Sequence, residues 1–263
     1  MPVAEPVPGH SHLSAGPGPW SPVVVVIAVL ALAYLAAAVR AGSGWHRGRT
    51  AAWLFGCAAA AVALSPLLAG HDPRTHMARH LLLGMVAPLG LVLAAPVTLL
   101  LRVTAPATGR RIGRVLRARP VHVLGHPATA ALLTVGGLYV VMLTPLGEAA
   151  DANPLLHNAL LLHYLAAGYL FTWSIAGPDP APRRPGMSTR VVVLVLAVAA
   201  HSVLAKVLYA RAPGGPDAEA ARAAAQLMYY GGDLAELALA AALFATWYRR
   251  RATTSSGQVR PPR

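Results

Sequence analysis

The sequence has little charge for its length. Only 12% of its 263 residues are Asp, Glu, Lys or Arg, whereas 56% are hydrophobic. A soluble domain of this size carries about twice that share of charged residues. The composition therefore excludes an ordinary soluble protein and indicates a membrane protein.

Cysteine is nearly absent as well, and the common catalytic motifs are missing. Cys57 is the single cysteine, so the chain has no internal disulfide and no site built from paired thiolates. We find no Ser-His-Asp order, no HExxH, no Walker or dinucleotide glycine pattern and no CxxCH. Hydrolytic and nucleotide chemistry are not indicated, and we expect the protein not to be an enzyme.

Long hydrophobic runs account for most of the chain. Each run is long enough to cross a bilayer as a helix, and each is too long for a barrel strand. The sequence predicts an all-α, polytopic membrane protein with seven transmembrane helices. The runs lie near residues 22–39, 51–69, 81–101, 128–146, 155–175, 191–209 and 227–248.

The basic residues are distributed unevenly over the connections between these runs. Alternate connections, together with the C-terminal tail, carry 17 of the 22 Lys and Arg residues, and the other side carries four. Because basic residues favour the cytoplasmic side, we expect the N-terminus outside and the C-terminus in the cytoplasm of a multi-pass plasma-membrane protein. This distribution argues against nucleic-acid binding and predicts that the basic stretch 110–119 binds anionic lipid at the cytoplasmic face.

Three regions follow from this pattern. Residues 1–19 are rich in Pro and Gly, include His10 and His12, and are predicted to form a disordered outer tail. Residues 20–250 form the seven-helix domain, and residues 251–263 form a basic cytoplasmic tail. The first run lacks a basic segment before it, so we expect it to be retained as a span.

Polar residues within the runs concentrate in the predicted outer half of the membrane. Asp72-Pro73 is typical of a helix N-terminus, which would place His76 and His80 one above the other with Met77 alongside. Pro88 and Pro96, further along this run, predict kinks, which neighbouring helices can accommodate in a membrane.

Two further runs carry imidazoles at matching depth. The fifth run has His157 at its head and His163-Tyr164 about two turns further in, and the sixth run has His201. His163 and His201 both lie about 12 Å below the outer boundary if each residue rises 1.5 Å. In the seventh run, the spacing of Gln226, Tyr229, Asp233 and Glu236 predicts one polar stripe on a helix.

Polar groups are energetically costly to bury in a membrane, so several of them at one depth suggest a functional site. Imidazole, thioether and carboxylate without thiolate suit copper. Because the ligand is neutral imidazole, binding should weaken below about pH 6.5, where histidine protonates. The predicted ligands are His76, Met77, His80, His157, His163, His201 and Asp233. The alternative is a haem-binding electron carrier with His163 and His201 as axial ligands. Both acids of the stripe could instead be structural partners of Lys206 or Arg211.

Several of these motifs together resemble the CtaG family of membrane proteins associated with cytochrome c oxidase assembly. The resemblance covers roughly residues 50–250. It rests on His76-Met77-x-x-His80, on His157-Asn158 and His163-Tyr164 continuing to Gly168, Phe171 and Trp173, on Gly177-Pro178-Asp179-Pro180, on His201, and on Gly231-Gly232-Asp233 with Trp247.

The resemblance implies a seven-span assembly factor, needed for active oxidase, that supplies or inserts copper. The implied partners are cytochrome c oxidase subunits and a soluble copper donor.

Overall fold

The computed structural model describes residues 22–68, 70, 72–215 and 218–256, and the regular structure in these ranges is helical throughout. The all-α class is therefore confirmed. The predicted outer tail, with His10 and His12, lies outside the described residues.

The helices follow one another with short connections. In chain order they are α1 Pro22–Ala41, α2 Arg47–Ala63, α3 Pro73–Leu81, α4 Ala87–Leu93, α5 Pro96–Val103, α6 Pro106–Leu116, α7 Arg119–Leu124, α8 Pro127–Ala131, α9 Gly137–Leu143, α10 Leu146–Ala152, α11 Pro154–Ala176, α12 Met187–Ala210 and α13 Ala218–Ser256. Single π-helical turns, Leu82–Val86 and Leu132–Gly136, join α3 to α4 and α8 to α9.

Five stretches of the described chain are long and apolar enough to cross a membrane. They are Val23–Gly44, Pro73–Val103, Pro154–Ala176, Met187–Ala210 and Ala218–Arg249. A sixth arises if Pro127–Leu143 and Leu146–Ala152, which bend by 77° between them, count as one span. The chain is thus a membrane protein by its helices, with five or six candidate spans where the sequence predicted seven.

The second and fourth predicted spans account for the difference. Helix α2, which overlaps the second run, has only 17 residues, and the fourth run ends as a helix at Leu143. There the hydroxyl of Thr144 donates to the Val140 carbonyl and accepts from the Leu146 amide. Pro145 supplies no amide hydrogen, so the chain turns where hydropathy alone predicted a continuous helix.

Apolar side chains cover the outside of the bundle. Exposed examples on α1, α12 and α13 include Val29, Leu32, Leu196, Leu234 and Leu237. Apolar surface on this scale is costly in water, whereas lipid accommodates it. These faces indicate contact with the hydrocarbon of the membrane.

The third run is interrupted at the positions where its prolines predicted kinks. The carboxylate of Asp72 accepts from the Arg74 amide at 2.7 Å, and Pro73 begins α3, which confirms the predicted helix start. Pro88 follows the first π-helical turn, and Pro96 begins α5 immediately after Ala95, whose φ of 54° is left-handed. The span consists of three helical segments.

A buried carboxylate caps the last of these segments. Asp179 is 1% exposed and lies in the connection between α11 and α12. It accepts from the amides of Val97 and Thr98 at 3.2 and 2.7 Å and from the Thr98 hydroxyl at 2.6 Å. An anion at a helix N-terminus satisfies amides that have no partner within the helix. Asp179 thus fixes the start of α5 against a loop some 80 residues later in the chain.

The centre of the bundle is made by α3, α11, α12 and α13. Helix α13 packs against both α3 and α12, and α11 packs along the π-helical turn Leu82–Val86. Each of these four helices contributes a buried polar side chain to the same interior region. The candidate site lies there.

Candidate metal centre

Two buried imidazoles face each other in the middle of the bundle. His80 from α3 and His201 from α12 are 2% and 3% exposed, and their ring centroids are 6.3 Å apart. We call them the buried histidine pair. Tyr164 from α11 contacts His80 edge-on with centroids 4.9 Å apart, and Glu236 from α13 places Oε1 3.4 Å from Nδ1 of His201. Four helices therefore supply one polar cluster.

Most polar atoms of this cluster lack hydrogen-bond partners among the described residues. Neither ring nitrogen of His80 or of His201 has one, nor has the Tyr164 hydroxyl or Oε2 of Glu236. Buried polar groups are normally paired with protein or water, since leaving one unpaired costs about 1–3 kcal/mol. A group of unpaired atoms at one place is therefore suited to holding a polar ligand, an ion or ordered water.

Glycines make room for the imidazoles. A β-carbon on Gly232 of α13 would lie 2.2 Å from Cε1 of His201, so a larger residue would displace the ring. A β-carbon on Gly168 of α11 would lie 2.0 Å from the carbonyl oxygen of Gly84, which follows His80 by one helical turn. These close approaches let α11 and α13 reach the cluster.

A small cavity adjoins the cluster. Its volume is about 30 Å³, which is room for a water molecule or two. His80, His201 and Glu236 line it together with Thr134, whose buried hydroxyl also lacks a partner. The rest of its wall is mainly apolar, so the polar contacts offered to an ion in this space come from the cluster, Thr134 and Thr172.

A larger cavity of about 580 Å³ lies toward the predicted outer end of the same helices. His76 and Met77 of α3 line it, as do Met142, Glu148 and Asp151. Met77 is buried, and His80 follows it by three residues on the same helix. The larger cavity, which we call the outer cavity, thus has His76 in its wall one helical turn before His80.

His157 is joined to a different partner. Its Nε2 lies 3.0 Å from Nη1 of Arg79, whose other terminal nitrogen donates to the Leu68 carbonyl. Because a guanidinium only donates, Nε2 of His157 is the acceptor in this contact. The lone pair that a metal would need is used to hold Arg79, so the structure gives His157 a structural contact between helices.

His163 points to another neighbour as well. Its Nε2 lies 3.1 Å from the carbonyl of Leu133 in the second π-helical turn, and Gly137 leaves space for the ring. His201 instead contacts His80 and Glu236. The matched depth of His163 and His201 does not bring their imidazoles together here, which leaves the haem alternative without the facing pair that it requires.

The carboxylate beside His201 is Glu236, whereas the sequence favoured Asp233. Both belong to the predicted polar stripe of α13, but Asp233 is only half-buried. Neither forms an ion pair with Lys206 or Arg211 among the residues described. The i, i+3 spacing of the stripe was the signal that could have selected Glu236.

The predicted single layer of ligands is divided in the structure. Within the described ranges, no three His, Cys, Asp or Glu side chains are grouped as a metal site would need. Only His80 and His201 of the predicted histidines come together, with His76 and Met77 in the outer cavity above them. Of the remaining predicted ligands, His157 contacts Arg79 and His163 contacts Leu133. Half-buried Asp233 lies close enough to His201 and Glu236 to interact with them electrostatically.

Comparison with known families identifies the chain. The family profile of the cytochrome c oxidase caa3 assembly factor matches residues 32–250, which include every predicted ligand. The chain belongs to this family of cytochrome c oxidase assembly factors, and the resemblance that its motifs indicated is confirmed.

Curated relatives are found in mycobacteria. Uncharacterized proteins of Mycobacterium bovis and Mycobacterium tuberculosis are each 38% identical over 189 residues, covering 68% of this chain and 28% of theirs. One of Mycobacterium leprae is 35% identical over 187 residues, covering 66% of this chain and 28% of its own. The chain thus spans less than a third of the length of these relatives. No solved structure matches it.

Proposed function

We propose that this protein serves cytochrome c oxidase assembly by holding copper at the buried histidine pair. The observation that carries the proposal is the pair itself, because two buried imidazoles lie side by side in a membrane bundle and their nitrogens have no hydrogen-bond partner among the described residues, the 3.4 Å contact of His201 Nδ1 with Glu236 being an ion-pair contact. Membrane interiors rarely contain such groups without a function. Copper is the cargo here, and we propose a non-catalytic role.

The spacing of the two rings is compatible with one shared ion. A metal about 2.1 Å from a ring nitrogen lies about 3.2 Å from that ring's centroid, so two imidazoles sharing one ion have centroids up to about 6.4 Å apart. The observed separation is 6.3 Å. Imidazole suits copper, and the chain offers no second cysteine for a thiolate site.

Glu236 has the place of an orienting residue. A histidine that binds a metal through one nitrogen normally uses the other to contact a carboxylate or carbonyl, which fixes the ring and its tautomer. Oε1 of Glu236 lies 3.4 Å from Nδ1 of His201 and is suited to this role. His201 would then bind copper through Nε2.

The outer cavity supports an approach route to the pair. His76 and Met77 line it, and thioether sulfur is a suitable ligand for reduced copper. Glu148 and Asp151 line it with two negative charges against the one positive charge of Arg211, a balance that favours a cation. Copper from a soluble donor would contact these residues before reaching His80.

Elemental analysis tests the proposal directly. The full-length protein purified from copper-replete cells should contain copper, and its absorbance spectrum should show no haem. A preparation with no copper under these conditions would contradict the proposal, and haem absorbance would support the electron-carrier alternative.

The proposed topology places the N-terminus outside and the C-terminus in the cytoplasm of the plasma membrane, with seven crossings in which α2 and the bent segment α8–α10 each count as one. Support comes from the 17-to-4 division of basic residues between the two sides. A reporter that is active only in the cytoplasm, fused after Arg251, should be active. Activity only from an externally located reporter would contradict this topology.

Two sets of partners follow. Subunits of cytochrome c oxidase are the proposed recipients of copper. Helix α6 is the proposed contact with anionic lipid, because it has no buried residue and exposes Arg110, Arg111 and Arg114. Basic helices of this kind are attracted to the negative surface of the cytoplasmic leaflet.

A further inference from the structure

The chain has one lysine, and its side chain lies on the exposed surface of the helix bundle. The other 21 basic residues are arginines. Lys206 belongs to α12, four residues before the helix ends at Ala210, which places it about 6 Å below that end. Its side chain is exposed, and it forms no ion pair within the described part of the chain.

A groove of about 340 Å³ surrounds this lysine between α12 and α13. Its walls are Lys206, Tyr209, Gln226, Tyr229 and Tyr230, with Ala205 and Ala225 at its base. Tyr230 is 69% exposed, and the ammonium of Lys206 lies 5.5 Å from the centre of the Tyr229 ring. We call this the lysine groove.

The lysine groove offers a cation and several hydrogen-bond donors but no carboxylate. Besides the ammonium, its side chains include three phenols and one amide, each of which can donate a hydrogen bond. Tyrosine rings at this depth also fit the boundary between headgroups and hydrocarbon. The occupant best matched to this chemistry has an anionic, oxygen-rich head and an apolar body.

We propose that the lysine groove binds the phosphate of an anionic membrane lipid in the leaflet at this end of the bundle. Charge complementarity supports it, since the unpaired ammonium would otherwise lie beside hydrocarbon. The position near the helix end favours a headgroup over a carboxylate deep in a partner helix. The proposal is independent of copper.

Lipid binding can be measured on the full-length protein in nanodiscs of phosphatidylcholine with or without phosphatidylglycerol. Native mass spectrometry counts retained phosphatidylglycerol, and acetylation of the single lysine reports whether its amine is covered. Lys206→Gln should lower affinity for phosphatidylglycerol about fivefold, whereas Lys206→Arg should keep it. Phosphatidylglycerol should slow acetylation of Lys206 in the unmodified protein.

Arg222 provides a matched control. It is exposed on α13, one turn before Gln226, and does not line the groove. Arg222→Gln removes the same charge and should retain the lipid. Equal losses in Lys206→Gln and Arg222→Gln would mean unspecific attraction and overturn the proposal. The proposal is also overturned if Lys206→Gln binds phosphatidylglycerol normally, or if acetylation of Lys206 is slowed only when oxidase subunits are present.

Discussion

Replacing either member of the buried histidine pair with alanine is expected to remove copper from the protein and to abolish oxidase assembly in cells. His80 and His201 would each supply one of two ligands, so neither variant retains a two-nitrogen site. Their nitrogens have no hydrogen-bond partner among the described residues, so the polar contact that is lost is the one of His201 with Glu236 at 3.4 Å. Copper per protein and cellular oxidase activity are the measurements, with membrane abundance as the check on folding.

His163→Ala is the matched control for this prediction. It removes an imidazole of similar predicted depth that contacts the Leu133 carbonyl rather than the pair. We expect it to keep most of its copper. If His163→Ala loses as much copper as His201→Ala, the histidines act as the single layer that the sequence suggested, and the pair is not the site.

Glu236→Gln should weaken copper binding about 10- to 100-fold without abolishing it, as is usual when a residue orienting a ligand is changed.

Gly168→Ala is expected to destabilise the bundle by about 3 kcal/mol, the upper part of the range for overpacking. The added β-carbon would lie 2.0 Å from the Gly84 carbonyl oxygen and 3.0 Å from Cγ of Pro88. The nearest atom belongs to the backbone, which cannot rotate away as a side chain can. The helices would have to separate, and thermal unfolding in detergent should show the loss of stability.

The same variant should also reach the buried histidine pair. Gly84 follows His80 by one helical turn and Gly168 follows Tyr164 by one turn, so a separation at the glycines moves the rings as well. Copper binding should therefore fall together with stability. Gly186→Ala is the control, because a β-carbon there meets nothing within 4 Å. Equal stability of the two variants would show that the close approach of α11 to Gly84 is not important.

The positions of the helices and the kinds of polar side chain in the site could be predicted from the sequence, because hydropathy and residue type are local properties. The start of α3 at Asp72-Pro73 and the interruptions at Pro88 and Pro96 follow from backbone rules that need no tertiary contact. The end of α9 at Leu143 was missed, since a run of apolar residues concealed the effect of Thr144 and Pro145.

Which polar groups meet could not be predicted, because that depends on how each helix is rotated. Depth alone joined His163 to His201, yet a rotation of α11 directs His163 to Leu133 and Tyr164 to His80. The structure places Glu236 rather than Asp233 in contact with His201 for the same reason. Sequence spacing orders residues along one helix but does not tell which neighbour lies opposite.

The contact between Asp179 and the start of α5 also has a consequence for synthesis. Val97 and Thr98 precede their capping carboxylate by 82 and 81 residues. At a translation rate of about 5–20 residues per second, the ribosome needs roughly 4–16 s to supply it. During that interval the first amides of α5 lack this carboxylate partner. The stretch Pro73–Val103 is therefore expected to reach its final shape only after Pro154–Ala176 has been synthesised, so insertion of these two stretches is expected to be coupled in time.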